Sequence, residues 1–316
     1  MEPRQVTDAL TRVEIVAPVH NRKNITLLCL KSLSRINADG LDVHIVIVDD
    51  GSTDGTGDAI RRDFPDVEIV QGNGDLWYTE GTNAGVRAAL EYDPHFILMI
   101  NDDAVFDADF LVSLVETAER NPHSVIGSLL LLWNEPHKLF QVSPVWDTWS
   151  GGWRHWHHQT VWTIPEKPWR VDLIVGNCLL VPAAAFRECG LMNSKRYPNF
   201  GDAEFTPRLK RAGWQLLIEP RARVFCQPNT PPPRVRNMGL KKLFSALVTD
   251  LGNNHNLIRR FYATLDGAPS RILGLAAFLN FIARAVFGTN REKAAWTKAQ
   301  IEKPISKTFA AAVIDD

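Results

Sequence analysis

The chain has 316 residues, a formal net charge of −1, 45% apolar and 22% charged residues. These values allow a large buried core, argue against disorder over most of the chain, and exclude a dedicated nucleic-acid binder. Cys29, Cys178, Cys189 and Cys226 form no CxxC pair, so reduced thiols are expected rather than a disulfide framework or a zinc site.

The polar start of the chain lacks the apolar run of a signal peptide. No stretch reaches the roughly 18 apolar residues that span a bilayer, and residues 272–283 are interrupted by Asn280. A cytoplasmic location is expected.

In chain order, residues 13–17, 43–48, 67–70 and 96–100 are short apolar or β-branched runs, as expected of strands in a buried parallel sheet. Residues 25–36, 56–64, 82–92 and 109–120 space their apolar residues as helices do. Repeated strand–helix units predict an α/β fold with a parallel sheet and right-handed crossovers. Residues 124–133 and 171–181 read as further strands, 203–212 as a helix closing at Gly213, and 214–218 and 222–226 as two late strands. The stretch 146–169 holds six of the ten tryptophans, with His155, His157 and His158. Hairpin packing accounts for most of these rings, and a solvated loop for the histidines.

The proline run from Pro228 to Pro233 marks a boundary. A catalytic domain over 1–230 is expected, with a nucleotide-binding half at 13–120 and an acceptor half at 121–230, followed by a basic helical tail over 231–316. From Arg234 to Lys303 there are 12 Lys/Arg against 4 Asp/Glu, a net +8 that leaves −9 for the rest.

Ligands of open parallel sheets bind beyond the carboxyl ends of the strands. Residues 43–48 run into Asp49-Asp50-Gly51-Ser52, and 96–100 into Asn101-Asp102-Asp103. Turn and cap duties account for Asp49 or Ser52 alone. Two acidic pairs at equivalent strand ends repel unless a cation or hydrogen-bond donors offset them. A hard divalent ion does so, taking one or two carboxylates plus phosphate oxygens. The absence of GxxxxGK[ST] and GxGxxG disfavours an NTPase or a dinucleotide dehydrogenase.

The motifs APVHNR (17–22), VDDGSTDGT (48–56), GNGDLWYTEGTNAGV (72–86), NDDA (101–104) and GDAEFTPRLKRAGW (201–214) together resemble family-2 glycosyltransferases of the GT-A fold. The resemblance runs from about Val13 to Cys226. It implies a Rossmann-like, mostly parallel sheet flanked by helices, here with a C-terminal helical appendage. It also implies inverting transfer of a sugar from a nucleotide-diphosphate donor with Mg²⁺ or Mn²⁺. Pro18 and His20 would border the base, Asp50 would bond the base or ribose, and Asn83 would lie near the nucleotide. Asp102 would face the ribose, Asp103 would ligate the metal, and Asp202 would be the catalytic base. Without the other motifs, Asp202 reads as an ordinary helix cap.

Trp77, Gly176, Asn177 and Glu204 are candidates for the sugar or acceptor pocket. Gly176 would permit close backbone approach, and Asn177 could bond a sugar hydroxyl. The segment 72–86 is similar to bacterial rhamnosyltransferases of surface-polysaccharide synthesis, which implies a dTDP- or UDP-linked donor and a glycan or lipid-linked saccharide acceptor.

Two positions depart from the family. Gly201 stands where the family has Glu, with Glu204 either replacing it or merely capping the helix. Cys226 stands where many relatives have His, leaving water, Gln227 or the Trp/His-rich stretch to complete a metal site.

A nucleotidyltransferase also uses paired aspartates and metal, but it wants a basic, Gly-rich triphosphate loop that is not evident. A non-catalytic binding relative has no need of Asp202. For the tail, an apolar helix with Arg271 and Arg284 suits either peripheral membrane contact or packing, including a homodimer interface. Membrane contact would expose Leu273, Phe278 and Phe281, and packing would bury them.

Overall fold

The computed structural model describes residues 10–141, 145–154, 159–227, 239–250 and 256–287. The expected early strands are β1 (Thr11–Val19), β2 (Leu41–Asp49), β3 (Glu68–Gln71) and β4 (Phe96–Ile100), paired parallel in the order β3-β2-β1-β4. Their helices are α1 (Lys23–Leu33), α2 (Thr56–Asp63) and α3 (Trp77–Leu90), with α4 (Phe110–Arg120) following the short β5 (Ala104–Phe106).

The second half contributes β6 (Ser124–Leu132), β7 (Leu139–Gln141), the hairpin β8 (Val145–Asp147) and β9 (Gly152–Arg154), and β10 (Trp169–Arg170). After these come β11 (Cys178–Pro182), α5 (Ala183–Cys189), α6 (Asp202–Arg211) and β12 (Gln215–Cys226). β11 inserts antiparallel between β4 and β6, and β6 runs parallel to β12. One ten-stranded sheet results, ordered β10-β12-β6-β11-β4-β1-β2-β3, with β5 beside β12 and β7 beside β6.

Alternation along the strands builds a core on each face, as a period of two requires. Ile15, Ala17, Leu98 and Ile100 join Leu30 and Leu33 of α1 and Leu111 and Leu114 of α4. Val16, Ile97 and Met99 face the other way, onto Val86 and Ala89 of α3, Phe186 of α5, and Phe205 and Leu209 of α6. Buried on both faces, β1 and β4 carry the near-continuous apolar runs seen in the sequence.

Two strand expectations change. The expected strand at 171–181 shortens to β11. The two late strands are one, because β12 passes Glu219-Pro220 with a bulge whose register jumps from Glu219↔Ser128 to Arg223↔Leu129. The fully buried Glu219 carboxylate accepts from Thr117 Oγ1 at 2.5 Å and from the Arg221 amide at 2.9 Å, which satisfies the bulge from inside.

Beyond residue 238 come α7 (Leu240–Phe244), α8 (Leu257–Gly267) and α9 (Arg271–Phe287). α8 is tied to the sheet-bearing body through Asp266, which accepts from Tyr197 Oη at 2.6 Å and pairs with Arg196 at 3.0 Å. α9 lies against α8 and against the β8–β9 turn, where Asn280 Nδ2 donates to the Thr148 carbonyl at 3.1 Å. Phe278 packs edge-on against Phe261, and the Arg260 guanidinium lies over Phe281. On the opposite side of α9, Ile272, Leu275 and Leu279 are exposed, and Leu273 is 41% exposed. The helix therefore packs along one face while keeping an apolar stripe open. Among the described residues, no helix is long and apolar enough to cross a membrane.

Candidate active site

Parallel register brings the carboxyl ends of β1, β2 and β4 level, with Val19 opposite Asp49 and Val16 opposite Met99. Just beyond them lies a cavity of about 340 Å³ lined by Pro18, His20, Arg22, Asp50, Trp77, Tyr78, Asn101 and Asp102, among others. Of the residues expected at the nucleotide, Pro18, His20, Asp50 and Asp102 thus converge, joined by Trp77, a candidate for the sugar or acceptor pocket. Asn83 does not join them. It is buried on α3, with its side chain accepting from the Met192 amide at 3.1 Å and donating to the Met192 carbonyl at 2.9 Å, which fastens α3 to the segment after α5.

Asp50 has a role that its strand-end position does not announce. One carboxylate oxygen accepts from the Gly74 amide at 2.7 Å; the other accepts from the Leu76 and Trp77 amides at 2.9 and 3.2 Å. These last two are unsatisfied donors at the start of α3, so Asp50 caps that helix from a neighbouring strand and favours its positive end. The cap also holds Trp77 at φ +58°, a left-handed conformation that costs a bulky residue about 1–2 kcal/mol. The indole is consequently 54% exposed at the cavity rim, open for stacking. His20 closes the same corner, its Nδ1 donating to the Asp50 carbonyl at 2.5 Å.

Asp50→Ala should strand three amides around a buried site and lower stability by about 3 kcal/mol, the scale for hydrogen bonds to a buried charge. Urea unfolding measures this, and an unchanged midpoint would mean the loop holds itself.

At the end of β4, Arg22 bridges both aspartates, reaching Asp102 at 3.0 Å and Asp103 at 2.9 Å. Thr26 Oγ1 adds a 2.8 Å bond to Asp102. Burial pushes the Asp102 pKa up to about 6 against the pull of Arg22 and Thr26. Arg22 lies inside the APVHNR motif, but its partners are some eighty residues away in sequence, and sequence reading did not single it out.

Two acceptor oxygens here, Asn101 Oδ1 and Asp103 Oδ1, are buried without a hydrogen-bond partner. Such orphans are costly unless a ligand binds them, and a divalent cation suits a carboxylate oxygen in this position. Among the described residues, no group of three or more His, Cys, Asp or Glu side chains gathers to hold a metal without help. Asp103 therefore fits a cation that takes its other ligands from a diphosphate and water. The Cys226 thiol is buried, and desolvation together with nearby Asp103 pushes its pKa well up. Gln227 meets Asp103 only through its backbone amide, at 3.3 Å. His155, His157 and His158 lie outside the described residues.

The Tyr78 hydroxyl, on the cavity wall, donates to the Gly176 carbonyl at 2.9 Å. The Gly176 amide in turn donates to Asp202 Oδ2 at 2.8 Å. A Cβ at Gly176 would stand 2.3 Å from the Tyr78 hydroxyl oxygen, so only glycine lets the two meet. Asn177 contributes its carbonyl, which accepts from the Asn101 amide at 3.0 Å.

Asp202 opens α6, and its carboxyl pKa is raised by desolvation against the Gly176 bond. It faces a second cavity, of about 350 Å³, walled by Trp153, Phe200 and α8. Glu204 is not part of either wall. It forms an i,i+4 ion pair with Arg208, which also bonds the Cys189 and Leu191 carbonyls.

The missing family glutamate has a steric reason. A Cβ at Gly201 would lie 2.5 Å from Thr79 Cγ2 and 2.9 Å from Met192 Sδ. Gly201→Glu should lower stability by about 1–3 kcal/mol through overpacking, and it should not raise turnover. A variant of native stability with faster turnover would show that a second carboxylate can be seated here.

Comparisons with known proteins bear on the family and the fold. Residues 14–169 match the model of glycosyl transferase family 2. Over 207 residues the chain is 24% identical to an N-acetylglucosaminyl-diphospho-decaprenol L-rhamnosyltransferase of Mycobacterium tuberculosis, covering 58% of this chain and 66% of that protein. It is also 24% identical over 134 residues to the glycosyltransferase GlyA of Streptococcus pneumoniae, covering 41% of this chain and 18% of that one.

Among solved structures it resembles GalNAc-T7 with UDP, GalNAc and Mn²⁺ (TM-score 0.59, 13% identity, 88% of this chain and 57% of that one). It also resembles the Pyrobaculum calidifontis mannosyltransferase PcManGT with GDP-Man and Mn²⁺ (TM-score 0.53, 16% identity, 89% and 77%). The match over residues 14–169 shows a glycosyl transferase family 2 domain there, and the solved structures show a GT-A fold.

Proposed function

We propose that the chain is an inverting, metal-dependent glycosyltransferase. It would move a sugar, with rhamnose the first choice, from a dTDP- or UDP-linked donor to a hydroxyl of a glycan or lipid-linked saccharide. The observation that carries the reading is the pair of cavities linked through Gly176, one walled by the strand-end carboxylates and the other by Asp202.

In the first cavity, Trp77 offers a stacking surface, and Arg22 offers a guanidinium to a diphosphate. Asp103, through its unpartnered Oδ1, would hold Mg²⁺ or Mn²⁺, which supplies charge to support the departing diphosphate. In the second cavity, Asp202 takes the proton from the acceptor hydroxyl as that oxygen attacks the anomeric carbon. Its raised pKa makes it a stronger base than an exposed aspartate. The alternative of a second carboxylate acting as nucleophile has little support, since Glu204 is committed to Arg208. The L-rhamnosyltransferase relative and the 72–86 motif favour rhamnose, and that relative's name favours a lipid-diphosphate acceptor.

The test is nucleotide release from a panel of sugar nucleotides with Mg²⁺ or Mn²⁺. Selective turnover of dTDP-rhamnose supports the full reading, and preference for an NDP-hexose replaces only the sugar. No turnover of any donor would leave a binding relative.

The same reading places the exposed stripe of α9, with exposed Arg271, Lys241 and Lys242, on an anionic membrane surface. Vesicles rich in phosphatidylglycerol at low salt should sediment the wild type, but not an Ile272→Asp, Leu279→Asp double variant. Wild type remaining in the supernatant would make α9 a packing helix only.

A further inference from the structure

The wall of the Asp202 cavity carries a feature that proton abstraction does not use. Arg259 and Arg260 of α8 both line it. Arg259 is buried at 8% exposure, with its guanidinium 4.0 Å above the Phe200 ring. The Arg260 side chain is open to the cavity. Its guanidinium lies 4.5 Å from the centre of the Phe281 ring, and Nη2 is 3.4 Å from the Gly151 carbonyl. Aromatic faces on both residues fix the guanidinium planes. Among the described residues, no carboxylate forms an ion pair with Arg260.

The Asp250 carboxylate favours the Arg259 charge, but the end of α8 opposes both cations. Both arginines lie in the first turn of α8, where the helix presents its positive end and disfavours cations. Burial lowers both guanidinium pKa values, that of Arg259 to about 10 with a smaller push from Arg260 and an opposing pull from Asp250. Two cations close together at the positive end of a helix, inside a cavity, are arranged as they would be to receive an anion. The acid on that wall is Asp202 itself, which the mechanism reserves for the acceptor hydroxyl. The apolar wall of Trp153, Leu173, Val175 and Phe200 suits the carbon face of a sugar.

We infer that Arg259 and Arg260 form a phosphate subsite for the acceptor, so that the acceptor sugar reaches Asp202 while its phosphate or diphosphate ester rests on α8. The inference rests on the glycosyltransferase reading and narrows its acceptor to a phosphorylated one.

Titration calorimetry on the full chain tests it, with saturating UDP and Mg²⁺ filling the other cavity. The probes are glucose 1-phosphate and geranyl diphosphate, with glucose and geraniol as uncharged counterparts. At least one phosphorylated probe should bind about tenfold or more tightly than its counterpart. Arg260→Gln, which removes the charge and keeps a polar amide, should remove that advantage, and Arg260→Lys should restore part of it. Tighter binding of geranyl diphosphate assigns the subsite to a lipid-linked ester, and tighter binding of glucose 1-phosphate to a soluble sugar phosphate. The inference is overturned if neither phosphorylated probe binds the wild type, or if Arg260→Gln, with unchanged circular dichroism, binds them equally well. Binding of UDP and dTDP is measured first. Failure of both would count against the glycosyltransferase reading, whereas nucleotide binding with no effect of Arg260 would sink this inference alone.

Discussion

Asp202→Asn should lower turnover by roughly two to four orders of magnitude, the usual scale for a general base, while leaving donor binding nearly intact. The amide oxygen still accepts from the Gly176 amide, so the geometry at the start of α6 is kept and only the basicity goes. The pH dependence gives a second signature. Because desolvation raises the Asp202 pKa above the ordinary 3.8, wild-type activity should fall on the acid side at a higher pH than for an exposed aspartate, and the variant should lack that limb.

Stability has the opposite sign. A carboxyl raised in the folded state contributes fully below its ordinary pKa, and that contribution is lost as pH rises through the folded value. At neutral pH the variant should therefore be no less stable than the wild type. Full activity in the variant would remove Asp202 from the reaction. Reduced activity accompanied by a large loss of stability would make it a structural cap instead.

Asp103→Ala should abolish the part of donor-nucleotide affinity that depends on Mg²⁺ or Mn²⁺. The substitution removes the unpartnered oxygen at the end of β4 and releases one arm of Arg22, while Asp102 keeps its own contacts with Arg22 and Thr26. Calorimetric titration of UDP with and without MnCl₂ separates the terms. Wild type should bind more tightly with the metal, and the variant should bind equally with and without it, through Arg22, Trp77 and the rest of the wall. A metal-dependent gain that persists in the variant would place the ion on other ligands.

The parallel half of the sheet was legible because its strands are buried on both faces. FILMI marks β4 at its observed limits, since no polar residue interrupts it and Asn101 ends it. The start of α3 was hidden. Gly74 and the left-handed Trp77 read as loop, and what begins the helix there is Asp50, a residue outside the local pattern. β12 read as two strands because Pro220 breaks the apolar run, although Glu219 bridges the break from within the core. β5 is three residues long and has no period to detect.

The strand-end carboxylates, their neighbours Pro18 and His20, and the early position of Asp202 in its helix could be read from motif order. The work of Arg22, Tyr78 and Arg260 could not, because each depends on a partner about eighty or more residues distant.

The three amides gathered by Asp50 also bear on the thermodynamics of ligand encounter. Residues 74–77 are fixed when the chain folds, so a ligand entering the cavity at Trp77 would find the ring already in place. The entropy of ordering that wall belongs to folding rather than to association, and the bound and free forms should differ little there in hydrogen-exchange protection. Temperature should then act on affinity through the unfolding of this one tether. Warming that loosens the Asp50 cap would weaken nucleotide binding before the sheet melts, and the pocket would lose its ligand as a unit.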